Sequence, residues 1–506
     1  MELPLAPLFP LFFSIFFLFF LLRRKAQGGK NLPPSPWRLP IIGNLHQLSS
    51  NPQHTLIRLS QKYGGLMFLQ LGSVPTLVVS SSEALKSIFK THDVAFSNRA
   101  VFQAIKKVAF GSLTVSFAPY GETWRQGRKL CVLHLLCSKR VRALRGVREQ
   151  EVSNLVAAVR KLSPLVDLSS MVFALSSNVA CRAVFGEKHS GGEGVYEGSR
   201  SWLHGIVKEA QDLAVAFCFE DFFKGMGWVD FLSGQRKRVE KTAEKLNAFF
   251  QRVIEEHQER VKQEEDEEEV AEDFVEVLLR ELKNAPNGGF LESMDNVKAI
   301  MGDLFFASSE TTSATIIWAM TELIRNPTIM RKSQRELRDA FGYKNKIQET
   351  DLEQLEYLKF VIKETLRLHP PVPLLLPRET IEPCRIQDYD IPAKTRVLVN
   401  TLAIAKDPKV WDSPERFWPE RFRGRSGMDL KGGPEFDFVP FGVGRRSCPG
   451  TEFAAVVVEL VLANLLHCFE WELPDGVKPE EVDIEEAAGL AVHKKVPLRL
   501  VAKPKV

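Results

Sequence analysis

The sequence predicts a mainly α-helical protein with a small β region near its start. Residues 149–183 and 202–261 alternate apolar and charged side chains at helical spacing, which is typical of amphipathic helices. Residues 296–324 form a long apolar run that also predicts a helix. Residues 66–79 place a Gly-Ser-Val-Pro turn between two apolar segments rich in β-formers, and this pattern predicts a short hairpin.

Composition limits the function classes. The chain has 506 residues, 44% hydrophobic and 26% charged, so it can bury a large core, and neither a repeat nor a long linker divides it. A formal net charge of +4 gives no indication of nucleic acid as a partner. The seven cysteines lack paired or zinc-like spacing, which disfavours a disulfide framework and indicates a reducing compartment.

The N-terminus predicts a membrane anchor. Residues 3–22 carry no charge, are dense in Leu and Phe, and have about the length that spans a bilayer. A cleaved signal peptide is the alternative, but Arg23-Arg24-Lys25 follows the apolar run and no Ala-x-Ala site is evident. We therefore expect a transmembrane anchor over 1–22, a basic, proline-rich hinge over 23–40 and a cytosolic globular domain over 41–506.

Residues 441–450, with the sequence FGVGRRSCPG, contain the cysteine most expected to do chemistry. Cys448 precedes an apolar helical run and stands beside Arg445 and Arg446, and a helix N-terminus and neighbouring cations favour the thiolate form. A thiolate is a good soft ligand for iron. An isolated cysteine is more often an inert buried residue, so the flanking pattern decides the interpretation.

That pattern, Phe-x-x-Gly-x-Arg-x-Cys-x-Gly, resembles the haem-binding loop of the cytochrome P-450 haem-thiolate monooxygenases. The resemblance implies that Cys448 is the axial ligand of the haem iron. It also implies that Arg446 contacts a haem propionate and that Phe441 packs beneath the macrocycle.

Trp124 and Arg128 are four residues apart and so share a face of a predicted helix. A surface cation beside an aromatic ring would explain the pair without any function. In the family that the chain resembles, such a pair faces a haem propionate, and the preceding loop, which includes Phe110, caps the substrate pocket.

The centre of the long apolar run is the polar sequence Ala307-Ser308-Ser309-Glu310-Thr311-Thr312. Hydroxyl groups in a helix can bond back to the carbonyl four residues earlier, which is the structural alternative. By resemblance, Glu310 and Thr311 relay protons for oxygen activation, and Ala307 and Ser308 face the substrate pocket. Ser308 departs from the family's usual glycine, which leaves the reaction type open.

Glu364 and Arg367 are three residues apart on another predicted helix and can pair, although an exposed pair would contribute little. The resemblance implies a buried structural triad of Glu364, Arg367 and Arg421. Losing one member of a buried ionic group costs roughly 3–5 kcal/mol.

Four prolines exclude a helix from residues 370–379. Leu374, Leu375 and Leu376 could be an ordinary strand core, but by resemblance they line the pocket above the haem and Arg378 contacts a propionate. Gly489 and Leu490 lie in a turn that the family inserts into the substrate pocket. Apolar walls with few polar groups indicate a hydrophobic small molecule.

These segments occur in the family's order, and the chain resembles the plant endoplasmic-reticulum class. The resemblance implies a cytochrome P-450 fold over 41–506, holding haem b between the long central helix and the Cys448 loop. It implies dioxygen activation with NADPH electrons from NADPH–cytochrome P-450 reductase, with cytochrome b5 as an optional second donor. The expected substrate is a terpenoid, alkaloid or phenylpropanoid. The alternatives are a haem-thiolate isomerase, dehydratase or ring-rearranging oxidase, and a haem-containing binding or sensor protein.

Overall fold

The computed structural model describes residues 31–186, 202–263, 272–284, 293–425 and 427–505. The predicted anchor over residues 1–22, and the predicted hinge as far as residue 30, lie outside the described residues. Within the described part, helices dominate and strands are short, so the predicted mainly α fold with a small β region is confirmed.

Helices form where the amphipathic patterns predict them. The helices are α1 (Pro52–Tyr63), α2 (Ser82–Thr91), α3 (Gln103–Val108), α4 (Glu122–Leu130), α5 (Ser138–Ala143), α6 (Arg145–Leu162), α7 (Leu168–Phe185), α8 (Trp202–Val215), α9 (Gly227–Leu232), α10 (Gln235–Gln263), α11 (Phe274–Asn284), α12 (Met294–Arg325), α13 (Pro327–Phe341), α14 (Glu356–Leu368), α15 (Thr401–Ala405) and α16 (Thr451–Cys468). Pro164 separates α6 from α7, because proline lacks the N–H that an uninterrupted helix would need there.

Strands of two to six residues build three small sheets. The strands are β1 (Leu66–Leu71), β2 (Val74–Val79), β3 (Asn98–Arg99), β4 (Leu165–Asp167), β5 (Arg378–Glu379), β6 (Cys384–Ile386), β7 (Tyr389–Ile391), β8 (Arg396–Val399), β9 (Phe469–Glu472) and β10 (Arg499–Pro504). The largest sheet has the order β1-β2-β8-β5-β3, with β2 and β8 parallel and the other neighbours antiparallel. The predicted hairpin is confirmed as β1 and β2, with Leu71 opposite Val74.

Helix α12 lies at the centre of the core and packs against α7 and α16. Its N-terminus is capped by Ser293, whose side chain accepts a hydrogen bond from the backbone N–H of Asp295. It ends at Asn326, next to Pro327, which begins α13. A helix that is apolar around most of its circumference is expected in the interior, and from Ser313 to Ile324 every side chain of α12 is buried.

Two core helices also have the length and hydropathy of membrane spans. These are α7 and α16, and most of the residues of each are buried inside the protein. Because each apolar surface is already covered by protein, we assign both helices to the core.

A buried ionic group joins α14 to the chain that leads to Cys448. The carboxylate of Glu364 accepts hydrogen bonds from Arg367 Nε at 2.7 Å and NH2 at 2.9 Å, and from Arg421 Nε at 2.9 Å. The backbone N–H of Trp418 donates to the same carboxylate at 2.8 Å. Glu364 and Arg367 are fully buried, so each charge depends on its partners for the solvation that water would otherwise supply.

Candidate cofactor and substrate site

A cavity of about 490 Å³ lies between α12 and the loop that leads into α16. Most residues predicted for the site line it. They are Phe110, Arg128, Ala307, Ser308, Glu310, Thr311, Leu375, Arg378, Phe441, Arg446, Cys448, Gly489 and Leu490. The cavity therefore brings together segments that are far apart in the sequence.

Two of the residues predicted for the site, Leu374 and Trp124, do not line the cavity. Leu374 packs against the hydrophobic cluster around the first hairpin, and Leu376 lines the cavity beside Leu375. The backbone of Leu375 has a φ of 50°, so the chain does not alternate its side chains as a regular strand would. Trp124 is buried next to the cavity, and its indole N–H donates to the carbonyl of Val115 at 3.2 Å.

Cys448 lies at the end of a tight loop, three residues before α16 begins. Its backbone N–H donates to the carbonyl of Phe441 at 2.8 Å, which closes the loop. Gly442 and Gly444 have φ values of 75° and 61°, in the left-handed region that favours glycine. Cys448 is a free, exposed cysteine that lines the cavity.

Burial raises the pKa of the Cys448 thiol, and this outweighs the backbone N–H of Gly450 and the charge of Arg128, which lower it. The expectation that Arg445 and Arg446 stabilise the thiolate is wrong. Arg445 pairs with Asp93 at 3.3 Å, and Arg446 points into the loop before α4. The cation that lowers the pKa of the thiol is Arg128. A metal ion bound to the sulfur would deprotonate it outright.

Four guanidinium groups line the cavity, Arg99 and the three predicted for the site, Arg128, Arg378 and Arg446, and none of them has a carboxylate within 4.0 Å among the described residues. Burial, together with repulsion from neighbouring arginines, lowers the pKa of Arg378 to about 10 and that of Arg446 to about 9. Uncompensated buried cations are costly unless an anion is bound beside them. The two propionates of haem are such anions, and the Cys448 thiol is the matching iron ligand, so the residues present fit haem b.

Arg446 and Trp124 form one stacked unit. The Arg446 guanidinium lies 4.2 Å from the Trp124 ring centroid and donates to the carbonyls of Ser97 at 2.8 Å and Ala118 at 2.6 Å. Arg128 lies 5.9 Å from the same ring, so the predicted shared face of Trp124 and Arg128 exists in the structure. The stack fixes the direction of both cations toward the cavity.

On α12, the hydroxyl groups bond back to their own helix. Ser308 Oγ donates to the carbonyl of Leu304 at 2.6 Å, and Thr311 Oγ1 donates to that of Ala307 at 2.7 Å. This is the structural alternative that the sequence allowed. Both residues nevertheless line the cavity, as does Glu310 between them.

Glu310 has a partner that the sequence did not indicate. His493 Nε2 lies 3.4 Å from Glu310 Oε1, and both side chains line the cavity. His493 follows Leu490, in the turn predicted to enter the pocket, by only a few residues. The sequence therefore indicated the right segment, but it did not indicate His493 as a site residue.

Two further charged residues lie in the cavity wall, Asp303, which is half-buried, and Arg99, which is buried. Asp303 lies one helical turn before Ala307 and therefore on the same face of the helix. An acidic residue on that face of an apolar helix could have been recognised from the sequence as a site residue. Arg99, at the end of the two-residue strand β3, carries no comparable sequence signal.

Comparison with known proteins agrees with the site. A family model described as cytochrome P-450 matches residues 33–500. The chain is 45% identical to strychnine-11-hydroxylase of Strychnos nux-vomica over 482 residues, covering 95% of this chain and 93% of that protein. It is 43% identical to desmethyl-deoxy-podophyllotoxin synthase of Sinopodophyllum hexandrum (95% and 94% covered) and 42% identical to premnaspirodiene oxygenase of Hyoscyamus muticus (94% and 93% covered).

Proposed function

This chain belongs to the cytochrome P-450 family, and from that premise we propose that it is a membrane-anchored monooxygenase that oxidises a hydrophobic plant specialised metabolite. Members of the family are oxidoreductases that bind haem b and activate dioxygen with NADPH-derived electrons delivered by a reductase. The haem supplies the redox chemistry, and the protein supplies binding, orientation and proton transfer.

One observation carries the proposal. The Cys448 thiol, three uncompensated arginines and the Glu310–Thr311 pair all line one cavity, although they come from four separate segments. A binding or sensor protein needs the iron ligand and the cations, but it has no use for an acid and a hydroxyl beside the ligand pocket. This combination favours turnover over simple binding.

We assign the residue roles as follows. Cys448 would bind the haem iron, Phe441 would pack against the ring, and Arg128, Arg378 and Arg446 would hold the propionates. Trp124 acts through its stack with Arg446 rather than through its own N–H, which is already bound to Val115. Glu310 and Thr311 move protons to the oxygen side of the pocket.

The substrate is proposed to be hydrophobic, because the part of the cavity beyond the cations is mostly apolar. Phe110, Leu375, Leu376 and Leu490 supply large apolar surfaces, and Ala307 and Gly489 leave room between them. The three relatives are named for a strychnine hydroxylation, a podophyllotoxin-type synthesis and a premnaspirodiene oxygenation. We accordingly propose an alkaloid, terpenoid or phenylpropanoid-derived substrate.

We also propose that residues 1–22 anchor the protein in the endoplasmic reticulum membrane with the catalytic domain in the cytosol. The uncharged run over residues 3–22 and the basic residues that follow support this orientation. The reductase shares that membrane, and cytochrome b5 is a second electron donor in the proposal.

An isomerase, dehydratase or ring-rearranging oxidase is the second candidate, because Ser308 stands where the family usually has glycine. Ser308 Oγ donates to Leu304 and Phe305 carbonyls, at 2.6 and 3.3 Å, so its hydroxyl is satisfied by the helix and adds no free donor to the cavity. This observation favours ordinary oxygen insertion.

The test is expression of the full chain in microsomes with the reductase, followed by screening of plant alkaloids, terpenoids and lignan precursors. Mass spectrometry under ¹⁸O₂ identifies the reaction type. A product that gains one labelled oxygen supports monooxygenation. A product of unchanged mass, or one that has lost water, would establish the second candidate instead.

A further inference from the structure

The cavity wall contains one pair of opposite charges that the proposed chemistry does not use. Asp303 of α12 and Arg99 of β3 both lie inside the protein, and each senses the charge of the other. They meet at Ser116, in the loop between α3 and α4 that covers the cavity.

The Asp303 carboxylate holds the loop from the side of α12. The backbone N–H of Ser116 donates to Asp303 Oδ2 at 2.9 Å. Burial nevertheless keeps the pKa of Asp303 raised, which is the mark of a carboxyl removed from water.

Arg99 holds the same residue from the opposite side. Its Nε donates to the Ser116 carbonyl at 2.8 Å, and its NH1 donates to the Leu376 carbonyl at 2.6 Å. Ser116 is thus bound through its N–H by Asp303 and through its C=O by Arg99. The second bond of Arg99 joins the loop to the apolar segment that lines the cavity.

The loop that contains Ser116 also accepts hydrogen bonds from Arg446, one of the cations proposed to hold the cofactor. Arg446 Nη1 donates to the carbonyl of Val115, directly before Ser116, at 3.1 Å, and Arg446 Nη2 donates to that of Ala118, two residues after Ser116, at 2.6 Å. Displacing the loop would therefore move Arg446 together with the cavity wall.

Arg99 shares its buried environment with the other guanidinium groups of the cavity wall. Burial and neighbouring arginines lower the pKa of Arg99, and Asp303 raises it. Among the described residues none of these groups has a carboxylate within 4.0 Å, and Arg99 differs from the rest because it joins the carbonyl of Ser116 to that of Leu376.

We infer that Asp303 and Arg99 form a positioning junction that joins α12, the loop at Ser116 and the segment at Leu376, and thereby sets both haem retention and the width of the substrate pocket. Neither residue contacts the reacting atoms in this inference. Both act through Ser116, Leu376 and, indirectly, Arg446.

The inference rests on the proposed function of the cavity, and two readouts besides turnover test it. The first is the rate at which haem passes from the purified protein to excess apomyoglobin. The second is the Kd of 4-phenylimidazole, a probe of the space next to the haem iron, measured by spectral titration. The full chain is compared with Asp303→Asn, Arg99→Gln, the double variant and Asp295→Asn, which removes an exposed carboxylate from the same helix.

Each single variant is expected to raise the haem transfer rate about tenfold, the scale of one buried group left without its partner, and to change the probe Kd several-fold. The double variant should be no worse than the poorer single variant, because it removes both charges together. Asp295→Asn should stay within twofold of the unmodified protein. If Asp303→Asn yields no haem protein, Arg99→Gln supplies the comparison, and Ser116→Ala, which keeps both backbone groups of the junction, should behave like Asp295→Asn.

Single variants that match Asp295→Asn in both readouts would overturn the junction. Fully additive effects in the double variant would overturn it as well. Failure of the proposed function is a separate outcome, because the unmodified protein would then lack a thiolate-type reduced-CO spectrum before any variant is made.

Discussion

His493 Nε2 lies 3.4 Å from Glu310 Oε1, across the cavity wall between the C-terminal turn and α12. The turn is held in place by its neighbour Val492, whose N–H donates to Pro371 at 2.7 Å and whose carbonyl accepts from Trp318 Nε1 at 3.2 Å. The acid proposed to relay protons therefore has a fixed basic partner that comes from a segment more than 180 residues away in the sequence.

If protons pass through Glu310, Glu310→Gln should lower product formed per NADPH oxidised by about tenfold or more, a modest part of the usual general acid–base contribution. His493→Gln should have a smaller effect, and the double variant should match Glu310→Gln alone because His493 acts through that carboxylate. Product and NADPH are measured together in reconstituted microsomes. If His493→Gln lowers product per NADPH by the same factor in the Glu310→Gln background as in the unmodified protein, the two residues act independently.

Thr311→Ala should increase the NADPH oxidised without product, because the variant loses a hydroxyl that we propose to relay protons when it leaves the carbonyl of Ala307. Thr321→Ala is the matched control, since Thr321 makes the same back-bond, to Ile317 at 2.7 Å, in a fully buried part of the same helix. Hydrogen peroxide release and product yield report the change. Equal coupling in both variants would remove Thr311 from the relay.

Glu364→Ala should prevent accumulation of folded haem protein, because Arg367 and Arg421 would remain buried without their shared carboxylate. The expected loss in the free energy of unfolding is roughly 3–5 kcal/mol. Glu356→Ala, an exposed position at the start of the same helix, should be tolerated. Haem content of the purified proteins is the measurement, and a normal yield of Glu364→Ala would contradict the structural role.

Asp221 should make the protein less stable as the pH rises. Burial raises the pKa of its carboxyl from 3.8 to about 6, so the folded state binds more protons than the unfolded state between these values. The free energy of unfolding then falls across this window, by at most roughly 3 kcal/mol. Asp221→Asn removes the effect.

The measurement is Tm against pH from 4 to 7. The difference in Tm between Asp221→Asn and the unmodified protein should grow as the pH rises, whereas Asp388→Asn, at a highly exposed position, should show no such trend. A difference that is constant with pH would mean that the Asp221 carboxyl is not perturbed by folding.

Local patterns predicted the local structure. The spacing of Trp124 and Arg128 placed them on one face of α4, and the turn at Gly72 placed the hairpin, because both depend only on residues close in sequence. The same holds for Glu364 and Arg367, whose contact follows from helical spacing, while their burial with Arg421 required the family resemblance.

Tertiary contacts explain what the sequence missed. Arg445 and Arg446 adjoin Cys448 in the chain, but the turn at Gly444 directs one to Asp93 and the other to the loop at Val115. Arg128, 320 residues earlier, is the cation near the thiol instead. Leu374 was assigned to the cavity by the family resemblance, but it packs against the cluster around the first hairpin, next to the positive φ of Leu375.

The most direct test of the central claim is the reduced-CO difference spectrum of the full chain and of Cys448→Ser, with Cys131→Ser, a buried thiol on the same side of the cavity, as the control. The unmodified protein and Cys131→Ser should show the band characteristic of thiolate-ligated haem, and Cys448→Ser should lose it. A thiolate band that persists in Cys448→Ser would contradict the account.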